Sequence, residues 1–502
     1  MEVMAIIETK SGKVKGYSEK GVEIFKGIPY AEPPIGDLRF RPPVAKEPWD
    51  GVLDATKYGS YAFQGYFRRL EELFGKLEPE SEDCLTLNIW TPAADGEKRP
   101  VMLWIHGGAF FTGGGTWELY NGLALAKRGD VVVVTINYRL GALGFLYIPD
   151  ITINAGLLDQ VLALNWVHDN IEAFGGDPDN ITIFGESAGG YSVLALPVMP
   201  QAKGLIRRVI AQSAPSIDPD ISERSTKGFM RKLKIKKGDI ESLRKASPER
   251  IIEAQNEYIG IDPNNLLAFR PLIDGDTIPK HPLKAFRDGE LENIDFMIGT
   301  NLDEAKLFTY QDPGFNAMVK SGGENAIIAV LGTSGIDNNT SREIIDIYKN
   351  ARKGKFSIEP MNLLDAVITD AMFRVPTIRY LEAQSNHQPN TFNYMFTFPS
   401  PQFNGAYGCP HFIDVPFVFN TFDAPGFPEF VGKGPDIDNL CEKVMDAWIS
   451  FAHTGNPNHN GLPEWSSYDK ERRATMFLGR ECKVVNAPFD KEREPWDGLN
   501  EI

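Results

Sequence analysis

Short apolar runs alternate along this chain with longer stretches of helix-periodic polarity. Six runs read as buried strands: Val101 to Ile105, Val131 to Ile136, Ile181 to Phe184, Arg208 to Gln212, Phe296 to Gly299 and Thr391 to Phe396. Several are apolar throughout, as in Val131-Val132-Val133-Val134, a pattern that suits strands covered on both faces. Between two of them, Leu157 to Val167 carries a helical pattern that stops at Gly175-Gly176-Asp177-Pro178. A second helix is predicted from about Ile437 to Ala452, with Leu440, Val444, Trp448 and Phe451 on one stripe. Strand–helix alternation over most of the length predicts an α/β fold with a mainly parallel central sheet and helices on both faces.

Residues of about 218–292 interrupt the alternation with two amphipathic helical stretches, and further helical cap segments are expected at about 312–390. The first stretch carries Lys227, Arg231, Lys232, Lys234, Lys236 and Lys237; a solvated helix face is a simpler reading of these than a partner-binding patch. No composition break, low-complexity linker or internal repeat divides the chain, so residues 1–502 are expected to form one large domain.

Composition removes several classes of function. Hydrophobic residues at 42% and charged residues at 24% leave ample material for a core. A net charge of −16 would repel nucleic-acid phosphates. No apolar run approaches the roughly 20 residues that span a bilayer. Met1 to Ile7, with Glu2, is too short and acidic for a secretory signal. A cytoplasmic protein acting on small molecules, as a monomer or small homo-oligomer, is therefore expected. Cys84, Cys409, Cys441 and Cys482 show no C-x-x-C pairing and no histidine at metal-ligand spacing, so neither metal nor cofactor is expected.

The chemistry-bearing segment is Gly185-Glu186-Ser187-Ala188-Gly189, between the strand Ile181 to Phe184 and a helical stretch from Tyr191 to Ala195. A serine flanked by glycines two positions away, at a strand-to-helix turn, is the pattern of a nucleophile elbow. Its hydroxyl needs a base, the base needs an orienting carboxylate, and the developing oxyanion needs donors. In open α/β sheets such groups gather beyond the carboxyl ends of strands. After Val101 to Ile105 comes His106-Gly107-Gly108-Ala109-Phe110, whose small residues let backbone N–H groups approach a ligand. Gly108 and Ala109, joined by Ala188 at the helix start, are the predicted donors, and His106 is expected to brace their loop. Five histidines follow the serine: His281, His387, His411, His453 and His459. Only His411 lies on a loop directly after a strong strand. For the acid, the strand ending near Ile298 leads to Asp303 and Glu304, and spacing does not choose between them.

These residues resemble the type-B carboxylesterases, a family that includes bacterial esterases of p-nitrobenzyl esters and the cholinesterases. The resemblance spans nearly the whole chain: Phe25 to Pro34, Ser81 to Asn88, His106 to Phe110, Asn137 to Gly141, Phe174 to Pro178, Phe184 to Gly189, Gln212-Ser213 and Phe451 to Pro457. It implies an α/β-hydrolase fold whose helical insertions form a lid. It also implies a triad of Ser187, Glu304 and His411, with Gly108, Ala109 and Ala188 as the oxyanion hole. Glu186 and Ser213 match positions that support the triad. In secreted relatives the cysteine matching Cys84 is bridged to one upstream, but this chain has none before it. The loop of about 62–80 is thus expected to be unstapled, in keeping with a reducing compartment. The tryptophan that cholinesterases place there is missing, with Phe74 nearby, which argues against capture of a quaternary ammonium.

The expected activity is hydrolysis of short- to medium-chain carboxylic esters through an acyl-enzyme on Ser187. Phe110, Phe111 and Trp117 are candidate pocket walls, with core packing the competing role. The rival readings are a non-catalytic binding or adhesion protein on the same scaffold, or a lipase or amidase using the same triad. Non-catalytic relatives lose the nucleophile, which this chain keeps.

Overall fold

The computed structural model describes residues 2–65, 79–149, 151–217, 222–260, 265, 267–310 and 312–499. Its strands are β1 (Glu2–Thr9), β2 (Gly12–Glu19), β3 (Val22–Pro29), β4 (Val52–Asp54), β5 (Tyr61–Ala62), β6 (Glu80–Ser81), β7 (Thr86–Thr91) and β8 (Arg99–Ile105). They continue with β9 (Val132–Ile136), β10 (Gly176–Glu186), β11 (Arg208–Gln212), β12 (Asp295–Asn301), β13 (Thr391–Phe396), β14 (Thr475–Leu478) and β15 (Lys483–Val485). Thirteen form one sheet in the order β1-β2-β3-β7-β9-β8-β10-β11-β12-β13-β14-β15, with β4 beside β2; β5 and β6 pair separately.

Every neighbouring pair from β9 to β14 runs parallel. The neighbouring pairs from β1 through β3 and β7 to β9, and β14 with β15, are antiparallel. The sheet is thus parallel where helices cover both faces and, apart from the parallel β2–β4 pair, antiparallel in its wings. Along β8, Val101, Leu103 and Ile105 join one core, while Met102 and Trp104 join the other. That two-residue alternation is why a continuous apolar run is needed. The helix Ala155–Asn170 packs on the first side, with Leu157, Leu164 and Val167; the helix Pro435–Thr454 packs on the second, with Val444, Trp448 and Phe451.

The order of connections sets where a site can form. From β8 the chain crosses to β9 on one side, then passes back to β10 on the other. The carboxyl ends of β8 and β10 are therefore adjacent at a switch point, with Gly185 in register with Ile105, and the loops leaving them part to leave a crevice.

One expectation changes. Among its described residues the stretch 218–292 holds four α-helices rather than two: Ser222–Leu233, Ile240–Lys245, Pro248–Ile259 and Pro282–Arg287. Its basic residues lie at the surface, where Lys237 pairs with Glu223 and Lys232 approaches Glu257 at 3.9 Å. All four cysteines are free thiols. Phe74 and most of the loop about 62–80 lie outside the described residues. Among the described residues no helix is long and apolar enough to cross a membrane, and no group of three or more His, Cys, Asp or Glu is placed to hold a metal ion.

Candidate active site

Ser187 follows β10 and precedes the helix Ala188–Ala195, in a left-handed conformation with φ 56° and ψ −120°. A non-glycine residue there carries strain, and the surroundings over-determine it. The Ser187 N–H donates to Gln212 O at the end of β11 (2.9 Å), while its carbonyl accepts from Tyr191 N (2.9 Å). The flanking glycines are required by contact. A Cβ on Gly185 would lie 2.6 Å from Ile105 O, and one on Gly189 would collide with the same carbonyl. Ser187 is partly exposed while its neighbours from Ile181 to Glu186 and from Ala188 to Ala195 are buried.

The loop after β8 lies directly against this turn. A Cβ on Gly107 would sit 2.7 Å from Glu186 Oε2 and 3.1 Å from Ser187 Cβ. Gly108, Ala109 and Phe110 all have positive φ (109°, 51° and 63°), and Gly108 O accepts from Phe111 N and Thr112 N (3.1 and 3.0 Å). Gly108 and Ala109 are partly exposed, like Ser187. His106 turns away: it stacks on Tyr138 (4.4 Å between centroids) and its Nδ1 lies 2.7 Å from Gly107 O. Burial pulls its pKa down to about 4, so it is neutral at ordinary pH.

Glu304 and His411 arrive from loops after β12 and β13. His411 Nδ1 is 2.6 Å from Glu304 Oε2, and His411 N donates to Glu304 O (3.3 Å). The other Glu304 oxygen accepts from Ser213 Oγ and Asn301 N, each at 2.6 Å. The neighbouring Asp303 faces elsewhere, pairing with Lys306 at 3.2 Å and accepting from Cys409 N at 2.9 Å. His411 Nε2 lies 2.9 Å from Glu186 Oε1, so the imidazole is held between two buried carboxylates. Burial alone would lower its pKa; Glu186 and Glu304 outweigh it and hold His411 well above the usual imidazole range. Burial drives Glu186 upward in turn. The other histidines after the serine lie apart: His281 caps Pro282–Arg287, His387 Nε2 meets Arg287 O, His453 Nε2 meets Gly129 O, and His459 Nε2 meets Lys443 O.

Two aromatic residues beside the imidazole carried no sequence signal. The rings of Phe308 and Phe373 lie 5.3 and 4.9 Å from that of His411. Phe373 belongs to a π-helical turn, Asp370–Arg374, between the helices Pro360–Thr369 and Val375–Ser385, and such turns recur at functional sites. Phe110 is fully buried and packs edge-on against Phe145 and Tyr191 at 5.1 and 6.1 Å. Phe111 is buried beside Gly65, and Trp117 stacks on Tyr120 at 5.7 Å.

A parallel sheet with a strand–serine–helix turn at its switch point is the architecture of an α/β-hydrolase. The Carboxylesterase family model matches residues 4–496. The chain is 37% identical to the para-nitrobenzyl esterase of Bacillus subtilis (strain 168), over 97% of this chain and 98% of that protein. It is also 37% identical to the phenmedipham hydrolase of Pseudarthrobacter oxydans, over 96% of each. Among solved structures it resembles a PNB esterase, with TM-score 0.87, 35% identity, and coverage of 98% of this chain and 99% of that one. A Geobacillus stearothermophilus carboxylesterase superimposes equally well, with TM-score 0.87, 37% identity, and coverage of 98% and 100%. The chain belongs to the carboxylesterase family, and it is a carboxylic ester hydrolase.

Proposed function

We propose that this enzyme hydrolyses short- to medium-chain carboxylic esters through an acyl-enzyme on Ser187. The observation that carries the reading is the run of contacts from the Ser187 turn through Glu186 to His411 and on to Glu304, with a donor loop against the same turn. Ser187 Oγ attacks the ester carbonyl while His411 Nε2 takes its proton, and Glu304 holds Nδ1–H and steadies the imidazolium. The N–H groups of Gly108, Ala109 and Ala188 receive the oxyanion; a helix's first N–H groups have no partner within the helix, which leaves that of Ala188 available. His411 then protonates the departing alcohol. Water activated by the same imidazole releases the acid. Phe308 and Phe373 wall the space beside the base, and Ser213 fixes the Glu304 carboxylate.

We also assign the enzyme to the cytoplasm, as a monomer or small homo-oligomer that takes small-molecule esters and no nucleic acid. Four free thiols and a charge of −16 support this. Ser187→Ala is expected to lower p-nitrophenyl acetate turnover by at least about 10³-fold with an unchanged circular dichroism spectrum. An organophosphate should add its mass at Ser187. Labelling at Ser213, or substantial turnover by the alanine variant, would overturn the assignment.

A further inference from the structure

Beside the donor loop lies a buried amide whose every polar valence is used. Gln64 is 5% exposed and sits just after β5. Its Oε1 accepts two hydrogen bonds, from Thr112 Oγ1 (2.7 Å) and Gly113 N (2.8 Å). Its Nε2 donates two, to Gly113 O (3.1 Å) and Ala62 O (3.2 Å). A primary amide offers two acceptor sites and two donors, so nothing is left over. Three of the four bonds reach Thr112 and Gly113. One residue on, Gly65 N donates to Phe111 O (2.9 Å). The segment 64–65 thus grips three consecutive residues, 111 to 113.

Those residues close the turn that carries Gly108 and Ala109. Phe111 N and Thr112 N both donate to Gly108 O, and a Cβ on Gly108 would collide with Thr112 O. The turn holds two successive non-glycine residues in the left-handed region, Ala109 at φ 51° and Phe110 at 63°. Such backbone persists only where surrounding contacts over-determine it. Phe110 is fixed from the other side, since its carbonyl accepts from Gly141 N (2.6 Å) and its ring lies between Phe145 and Tyr191. Among the side-chain hydrogen bonds to residues 111–113, those of Gln64 supply the grip on the exit of the turn.

We propose that Gln64 is a positioning residue of the oxyanion hole: its amide, fully bonded to Thr112, Gly113 and Ala62, sets where the Gly108 and Ala109 N–H groups point. It touches no substrate and acts only through the loop. The inference rests on the reading of Gly108, Ala109 and Ala188 as oxyanion donors. Donor geometry matters steeply, because a displacement near 1 Å costs about 10²-fold in rate, and a donor helps only when aimed at the oxygen's transition-state position.

The test compares p-nitrophenyl acetate with its thionoacetate analogue, whose sulfur is a poor hydrogen-bond acceptor, in the full-length enzyme and in Gln64→Met. Rates are expressed per active site titrated with an organophosphate, so that lost folding does not count as lost catalysis. Gln64→Met keeps the length of the side chain and removes all four hydrogen bonds. Its kcat for the oxygen ester should fall about 10- to 100-fold, with KM within about twofold. The thiono substrate should be affected much less, so the oxygen-to-sulfur rate ratio drops by about tenfold. Thr112→Val removes one bond from the loop side and should move the ratio the same way by a smaller factor, which keeps the test available if Gln64→Met is poorly produced. Equal losses on both substrates in both variants, or unchanged kcat per titrated site, would overturn the role of Gln64. A wild-type ratio no larger than that of hydroxide-driven hydrolysis would instead overturn the donor assignment itself.

Discussion

Glu186 and His411 are too close to titrate independently. At 2.9 Å the carboxylate stabilises the imidazolium, and the buried imidazolium in turn opposes the upward drift of the acid. With His411 as the proposed base, only its neutral imidazole could accept a proton from Ser187, so the rate should rise with pH as the pair gives up its proton. Glu186→Gln removes one of the two charges that hold His411 up. The acidic limb of the kcat/KM profile should then move to lower pH by about one unit or more. Because imidazolium support is also lost, kcat on the plateau should fall, by roughly tenfold. A pH–rate series with p-nitrophenyl acetate reads both, and an unmoved limb would show that Glu186 does not face the working base. At this scale the sequence was informative wherever chemistry demands a residue type at a turn. Ser187 and Gly108 could be read that way. Spacing left Asp303 and Glu304 equal, because adjacent residues on one loop differ only in the direction of their side chains. Phe308 and Phe373 were invisible for another reason: an aromatic in a helical stretch reads as core, and only packing across the fold brings these two to the imidazole.

Two strands of the parallel region were legible to the residue: β11 at Arg208–Gln212 and β13 at Thr391–Phe396 match the runs in the sequence. A strand that begins on turn-forming residues was not. Only Ile181 to Phe184 was apparent in β10, which starts at Gly176, because Asp177-Pro178-Asp179-Asn180 looks like a turn, and it does bulge out of register with β8 between the Gly176–Arg99 and Ile181–Val101 pairs. In the wing β1–β4, polar or charged residues interrupt the apolar pattern of β2, β3 and β4, which therefore lack a continuous apolar run. The π-helical turn had no signature either, being set by what it must reach. Arg374 in that turn is paired to Asp370 (2.5 Å) and Glu492 (3.5 Å) and lies over the Phe489 ring at 4.3 Å. Asp370 also accepts from Tyr348, whose hydroxyl receives Trp496 Nε1–H (2.8 Å). This buried network ties residues 489–496 to the element that presents Phe373. Arg374→Met leaves Asp370 buried without its cation, while Glu492 keeps Arg352 at 3.0 Å, and should cost about 3–5 kcal/mol. A lower denaturation midpoint would register it, and a loss under about 1 kcal/mol would mean that the network is dispensable.

Over the whole molecule, acid sensitivity follows from histidines kept neutral by burial. The unfolded imidazole of His106 gains its proton near pH 6.5, whereas the folded one resists until about 4. Stability is therefore fully present above about pH 6.5 and drains away as pH falls towards 4, by about 3 kcal/mol from this group. His281, lowered to about 4 chiefly by burial, adds in the same direction. Denaturant titrations at pH 7 and pH 4.5 should show the loss, and equal midpoints would contradict it. The order of strands in the sheet carries one more consequence, for biosynthesis. Gly108, Ala109 and Ser187 emerge on the first 190 residues of the chain, while Glu304 and His411 follow β12 and β13. On the proposed assignment, a ribosome halted before β12 would hold the nucleophile with neither acid nor base. The nascent chain would then be chemically silent until its last parallel strands dock beyond β11, and truncated products should contribute no stray hydrolysis in the cell.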